Sequence, residues 1–429
     1  MTLLQRLRSL PAPIRVAVIG TGQMGTGVVR HAARVPGLRV AGLCDLVAER
    51  AMAAAAEAGL AVEASPGAGV SAAIERGRAA VTTAWEALVE APQVDVVVDA
   101  TGAPELGARL ALRAIEHRKT VVTMNIEAEA TVGPLLASLA REAGVVYTVA
   151  GGDEPAVLAE LVEAVRLMGL EVVCAGKGKN NPLDPSATPR TVAAEARARG
   201  MSPRMLAAFV DGTKTMAEMT TLANAAGLTV DRPGMHGPRA DLADLLRTLV
   251  PVRDGGLLAR EGVVEYTIGD VAPGVFVVAR SHDPAVRRDL AYLRMGAGPY
   301  YLLARPFHLA SLEVPRSIAR AVLYREVTMA AAGPPRVECA AAAKRDLRAG
   351  ERLDGIGGET VYGVAVDAAE ARRSQAVPIG LLEGARLRRP VARGALLTAG
   401  DVELDATQTI VALRRRQQEW ASREAIAAG

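Results

Sequence analysis

The chain has 429 residues, which at roughly 150 residues per domain predicts about three domains. Half of the residues are apolar, enough for packed cores and too many for intrinsic disorder over most of the length. Lys plus Arg number 50 and Asp plus Glu 47, a net charge of +3; with no long basic run and only 3% aromatic residues, nucleic acid is not an expected partner. The longest uncharged run, Val16 to Val29, falls short of the about 20 residues that cross a bilayer. Met1 to Arg8 carries charges inside its apolar stretch and makes a poor export signal. Cys44, Cys174 and Cys339 are too few and too far apart for a disulfide framework or a zinc signature. The expectation is a soluble, cytoplasmic protein without membrane or nucleic-acid partners.

The first predicted strand, Arg15 to Ile19, is a short β-branched run of the kind buried in parallel sheets. Gly20-Thr-Gly22-Gln23-Met24-Gly25 follows at once and opens a helix from Thr26 to Arg34. In such a turn Gly20 permits the tight bend, Gly22 lets a pyrophosphate approach the backbone and Gly25 lets helix and strand pack closely. The helix N-terminus then supplies free N–H groups. A second strand, Leu38 to Cys44, ends in Asp45, about 20 residues past the last glycine, where a carboxylate meets the adenosine ribose. The expected cofactor is NAD(H) or NADP(H). Asp45 would repel a 2′-phosphate, and the nearest cation, Arg50, is five residues on, so NAD(H) is favoured.

Further strands are predicted at 94–99, 120–125 and 145–150, with helices at 104–117 and 132–143 between them, which implies a doubly wound sheet. The Ala-rich stretch 51–80 reads as two helices with a joint near Ser65-Pro-Gly67. Thr101, Gly102 and Asn125 fall at C-terminal strand ends, where ligands bind such sheets; Asn125 suits a cofactor or substrate contact and equally a turn cap.

Gly151-Gly-Asp153-Glu154-Pro155 then leads into a helix, 156–168, and a strand, 170–175, that empties into Gly176-Lys177-Gly-Lys179-Asn180-Asn181. Two ammoniums, two amides and a flexible backbone suit a phosphate or carboxylate. Only five of the 50 basic residues are Lys, at positions 119, 177, 179, 214 and 344. Against that bias a Lys marks a position needing a compact ammonium with three donors. Residues 204–226 read as one helix with Asp211, Lys214 and Glu218 on one face, either a proton-transfer or metal-binding stripe or an exposed salt-bridge ladder. His236, in Met235-His-Gly-Pro-Arg239, is a candidate acid or ligand. Strands at 262–280 and 299–305 and a helix at 311–324, which could return to the first domain, complete a mixed sheet. Beyond Gly333-Pro-Pro335, short strands between Asp/Gly turns predict a small all-β module. The turns at Asp346 to Gly350 and Val391 to Gly394 resemble those of the SAF, or β-clip, domain.

Taken together, Gly20 to Thr26, Asp99-Ala-Thr-Gly102, Met124-Asn-Ile-Glu-Ala128, Gly152-Asp-Glu-Pro155, Ala175 to Leu183, Asp211 to Met219 and Gly234 to Arg239, followed by that module, resemble the homoserine-dehydrogenase-like oxidoreductases with a C-terminal SAF domain. Within that group they are similar to the 1-deoxy-D-xylulose 5-phosphate reductoisomerase-like family. The resemblance implies a Rossmann domain at 12–152, an α+β catalytic and dimerisation domain with a mixed sheet at 153–332, a SAF-like β domain at 333–410 and a helical tail at 411–429. It implies isomerisation and then reduction of a phosphorylated ketose by NADPH, at odds with the NAD(H) preference read from Asp45. Lys177, Lys179 and Asn180, with Asn181, Asp153 and Glu154 nearby, would hold the substrate. Asp211, Lys214 and Glu218 would polarise its carbonyl and move protons, directly or through a divalent cation of unknown ligands, and His236 and Arg239 would complete the anion site. A homo-oligomer, dimer or tetramer, is the expected assembly. A homoserine-type, hydroxy-acid or sugar-acid dehydrogenase and a non-catalytic dinucleotide sensor are the competing readings.

Overall fold

The computed structural model describes residues 1–427 and divides into two compact units. The first unit, Met1–Ala156 with Leu309–Ala330, is built on seven strands: β1 (Ile14–Ile19), β2 (Leu38–Cys44), β3 (Val62–Ala64), β4 (Ala79–Thr82), β5 (Val96–Asp99), β6 (Thr120–Thr123) and β7 (Tyr147–Val149). Their order is β3-β4-β2-β1-β5-β6-β7, and every neighbouring pair is parallel. Val16 and Val18 in β1 and Val96 to Val98 in β5 are fully buried, which is why these strands read as unbroken apolar runs rather than alternating ones. The chain order reverses between β1 and β5, and the crevice at their C-terminal ends is where such sheets bind ligands. Helix Ala310–Tyr324 belongs to this unit, and its Val314, Ile318 and Ala319 share a core with Val16, Val18 and Val28.

The stretch 51–80 departs from the expected pair of helices. It holds helix Ala48–Glu57, β3, a single 3₁₀ turn, helix Val70–Glu75 and β4. Both strands are very short, and β4 opens on two alanines, so neither is long enough to show a β-branched run or an alternation. Parallel pairing with β2 makes β4 a strand, a case of tertiary context overriding propensity.

The second unit, Val157–His308 with Ala331–Gly429, contains a mixed sheet of β8 (Glu171–Gly178), β9 (Thr229–Val230), β10 (Val263–Thr267), β11 (Val275–Arg280) and β12 (Tyr300–Arg305), in the order β12-β11-β8-β10-β9. β8, β10 and β9 run parallel, while β11 is antiparallel to both β8 and β12. Cys174, Val263, Phe276 and Val278 pack with Leu245 and Leu249 in its core. Two antiparallel ribbons follow, β13 (Val337–Ala343) with β14 (Val361–Asp367) and β15 (Arg386–Leu387) with β16 (Val402–Glu403), and then helix Thr409–Ala427.

Residues 204–226 do not form one helix. Helix Pro203–Val210 ends at Asp211, Gly212 takes φ +89°, and a second helix runs Thr213–Ala226. Glycine reaches that left-handed conformation without steric cost, so the break falls where the sequence permits it. The β13–β14 ribbon fastens the second helix at both ends. Gly363 N–H donates to Thr213 Oγ1 at 2.8 Å, and Asn224 accepts from the N–H groups of Arg336 and Val337 at 2.8 and 3.0 Å. Among the described residues no helix is long and apolar enough to cross a membrane.

Candidate functional site

The glycine turn after β1 has the geometry a dinucleotide needs. Gly20 has φ +89°, and a Cβ there would lie 2.6 Å from the Ala100 carbonyl oxygen. A Cβ at Gly25 would lie 1.8 Å from the Gly20 oxygen, so these two glycines hold the turn closed against β5 and its own helix. At Gly22 a Cβ would meet nothing within 4 Å, leaving open the surface that a pyrophosphate would cover. Gly22 is also the N-cap of helix Gln23–Ala32, which has no capping side chain and no acidic residue in its first turn. Its first N–H groups are therefore available to an anion. Gln23 and Met24 stand exposed in that turn.

Asp45 lies at the end of β2. Its Oδ2 accepts from the Thr21 N–H at 2.9 Å and the Thr21 hydroxyl at 3.0 Å, and its Oδ1 from the Val47 N–H at 3.1 Å. Partial burial opposes the charge, but these donors and the Arg50 cation outweigh it and hold the carboxyl below its ordinary value. An ionised carboxylate has about four acceptor positions, so capacity remains for ribose hydroxyls. Beside it Leu46 and Val47 are exposed, an apolar surface suited to an adenine face. These residues fit a nicotinamide dinucleotide.

Thr101 and Asn125 shape the neighbouring turn. Thr101 donates through N–H and hydroxyl to Asp99 at 2.9 and 2.7 Å. Asn125 donates to the Thr101 hydroxyl and the Ala103 carbonyl, and accepts from the Ala128 N–H as N-cap of helix Ile126–Ala143. Asn125 is fully buried, so of its two possible parts the cap is the one it takes here. Gly102 is exposed next to it. Asp153 is buried in the turn before helix Glu154–Leu167 and accepts from the Glu154 N–H at 3.1 Å.

In the second unit the Gly-Lys-Gly-Lys segment is not the flexible loop its composition implies. Gly176 to Gly178 continue β8, with Lys177 in register with Tyr266 of β10 and Val275 of β11. Lys177 is ion-paired with Glu218, and the two side chains are 8% and 2% exposed. Lys179 is turned inward, donating to the carbonyls of Asn181 and Phe209 at 2.9 Å and of Pro182 at 3.5 Å. Burial and the neighbouring Lys177 charge pull it down to about 8. Its three donors tie the strand end to the following loop and to helix Pro203–Val210. Asn180 is exposed and Asn181 half-buried.

Asp211, expected on one face with Lys214 and Glu218, is separated from them by the break at Gly212. Its Oδ1 accepts from the Thr213 N–H at 2.8 Å, and its Oδ2 lies 2.8 Å from Nζ of Lys344. Burial pushes the Asp211 carboxyl up, while Lys344 and Thr213 pull it part of the way back. Lys344 also donates to the carbonyls of Ala187 and Gly358. Lys214 is half-buried on the second helix.

His236 is held by Asp231, with Nε2 2.7 Å from Oδ2, and Asp231 also accepts from the N–H groups of Ala259 and Arg260 at 3.0 Å. Burial opposes the Asp231 charge, but these donors hold its carboxyl below the usual range. The buried Glu265 accepts from the backbone of His236 at 2.7 Å and of Gly237 at 3.2 Å. The imidazole is thus an oriented one, 19% exposed at its side chain. Arg239, three residues on, is exposed. Nothing in the sequence marks Asp231 or Glu265 as part of this arrangement. Lys344 is marked in the sequence by the rarity of lysine.

Three stretches match known families: residues 20–150 the NAD binding domain of homoserine dehydrogenase, residues 152–314 the catalytic domain of oxidoreductase DRL, and residues 340–403 the SAF domain. No curated protein matches the chain. Similar solved structures include myo-inositol 2-dehydrogenase from Lactobacillus plantarum, 12% identical over 73% of this chain and 91% of that one, with TM-score 0.40. Dipicolinate-bound dihydrodipicolinate reductase from Paenisporosarcina sp. TG-14 is 12% identical over 73% and 97%, with TM-score 0.36. The WlbA dehydrogenase from Bordetella pertussis, in complex with NADH and UDP-GlcNAcA, is 16% identical over 62% and 68%, with TM-score 0.35. With a dinucleotide turn in a Rossmann sheet, an oxidoreductase catalytic region and a SAF domain, the chain is an NAD(P)-dependent oxidoreductase.

Proposed function

We propose that the chain transfers hydride between a nicotinamide dinucleotide, NAD(H) by preference, and a carbonyl or hydroxyl carbon of a small anionic ketose or polyol. The observation that carries this reading is the buried Lys177–Glu218 pair at the C-terminal end of β8, inside the region matching an oxidoreductase catalytic domain. When bound, the nicotinamide supplies or accepts the hydride. Lys177 then donates a proton to the carbonyl oxygen as that oxygen gains charge, or in reverse takes the hydroxyl proton. Glu218 holds the Lys177 side chain in place. Lys214, Arg239 and the amides of Asn180 and Asn181 meet the anionic group, and the Asp231–His236 pair is a second proton-handling group.

A reductoisomerase-like reaction on a phosphorylated ketose adds a carbon–carbon rearrangement before reduction; a hydroxy-acid or homoserine-type dehydrogenase omits it. An absorbance assay at the nicotinamide band, with and without Mg²⁺ or EDTA, separates them. Its panel is 1-deoxyxylulose 5-phosphate, homoserine, sugar acids and phosphorylated tetroses and pentoses. Turnover of a phosphorylated or carboxylated member supports the proposal. Dinucleotide binding without turnover of any member would turn the reading to a sensor.

The cofactor preference has its own expected result. NADH should bind more tightly than NADPH, because the Asp45 carboxylate at the end of β2 would repel a 2′-phosphate, and Asp45→Ser should move the preference about tenfold toward NADPH. Fluorescence titration measures both, and tighter NADPH binding to the unaltered protein contradicts the part given to Asp45.

A further inference from the structure

A cavity of about 440 Å³ lies in the C-terminal part of the second unit, between the small β module and helix Thr409–Ala427. Its volume falls within the range of small-ligand pockets, roughly 300–1,000 Å³. At its polar end Arg414 of the helix grips Glu338 of β13 through two parallel bonds of 2.7 and 2.9 Å. Both side chains are under 10% exposed. Gln417, one turn along, is also buried there and 1% exposed. The fork fixes the helix on the strand at the cavity wall. The apolar wall is Val377, Pro378, Leu381, Leu404 and Val411. At the mouth stand Arg372 and Arg415, both exposed.

The charges lining this space are three guanidiniums and one carboxylate. Glu338 is taken up by Arg414, which leaves the positive charge of Arg372 and Arg415 at the mouth beside an apolar interior. An inorganic anion would satisfy the mouth and leave the interior empty; a neutral apolar molecule would fill the interior and ignore the mouth.

We propose that this cavity is a second ligand site, separate from the dinucleotide turn and from the Lys177–Glu218 pair, and that it takes a small organic carboxylate with an apolar body. The carboxylate lies against Arg372 and Arg415, where planar guanidiniums offer paired N–H donors. The body occupies the space bounded by Val377, Leu381 and Val411, and the buried Gln417 amide lies at the inner end.

The test is calorimetric titration of the full chain with 4-phenylbutyrate, with 4-phenylbutanol as the neutral isostere and inorganic phosphate as the anion lacking a body. Binding of 4-phenylbutyrate should be about tenfold tighter than that of either control and should raise the melting temperature. The Arg372→Ala/Arg415→Ala variant changes only exposed side chains and should keep the ligand-free melting temperature while losing the carboxylate's advantage. Ala399→Trp, at an exposed position on the rim, should block binding of both organic probes. No binding of 4-phenylbutyrate, equal binding of the alcohol, or unchanged affinity in the double-arginine variant would each overturn the site.

Discussion

Lys177→Met should lower turnover by roughly 10²–10⁴-fold, the range expected when a positioned proton donor is removed. NADH affinity should meanwhile change by less than about twofold, because uniform binding of the cofactor does not involve this side chain. The groups read as binding the dinucleotide, Gly22 and Asp45, belong to the first unit, and Lys177 to the second. Met preserves the length and apolar stem of Lys but takes the ammonium away from the buried Glu218 carboxylate, and breaking a buried pair on one side is costly in itself. The double variant Lys177→Met/Glu218→Gln removes both charges and should recover stability without recovering turnover. Recovery of both would make the pair a structural brace and remove it from the chemistry.

Lys344→Met should destabilise the protein by about 3–5 kcal/mol, the cost of leaving one member of a buried ion pair alone. The side chains of Lys344 and Asp211 are 2% and 0% exposed, so solvent screening offers little relief. The same substitution strips the carbonyls of Ala187 and Gly358 of their donor. Lys344 follows β13 directly, and Asp211 sits in the break between two helices, so the pair joins the SAF-matching region to the element carrying Glu218. Urea denaturation measures the loss, and Lys344→Met/Asp211→Asn should regain a large part of it. A loss below about 1 kcal/mol, the worth of an exposed pair, would mean that Asp211 is solvated.

The Rossmann sheet was legible because its signals are local. A β-branched run, a glycine turn and a helix N-terminus adjoin in sequence, and the glycines are demanded by contacts with Ala100 and with one another. The lysine bias was legible because each lysine stands where a compact ammonium has close partners. Lys119, Lys177, Lys179 and Lys344 are all buried. Lys119 holds the carbonyls of Ala91 and Val94, Lys179 those of Asn181, Pro182 and Phe209, and Lys344 those of Ala187 and Gly358. At these three positions a compact ammonium with several donors ties backbone carbonyls together, while Lys177 pairs with the Glu218 carboxylate. What the sequence concealed is long-range pairing. Asp211 and Lys344, or Arg414 and Glu338, carry no mark of each other, and a glycine inside a helical pattern does not announce that the helix stops there. β3 and β4 were hidden because short alanine-containing strands have no period of their own.

The most direct test of the central claim is a fluorescence titration with NADH of the unaltered protein and of Gly22→Val. Gly22 borders open space, so the valine should fold normally, with an unchanged melting temperature, and place its methyl groups where the pyrophosphate must approach. The unaltered protein should bind NADH saturably, and the variant should lose that binding. Equal binding by both proteins would contradict that claim.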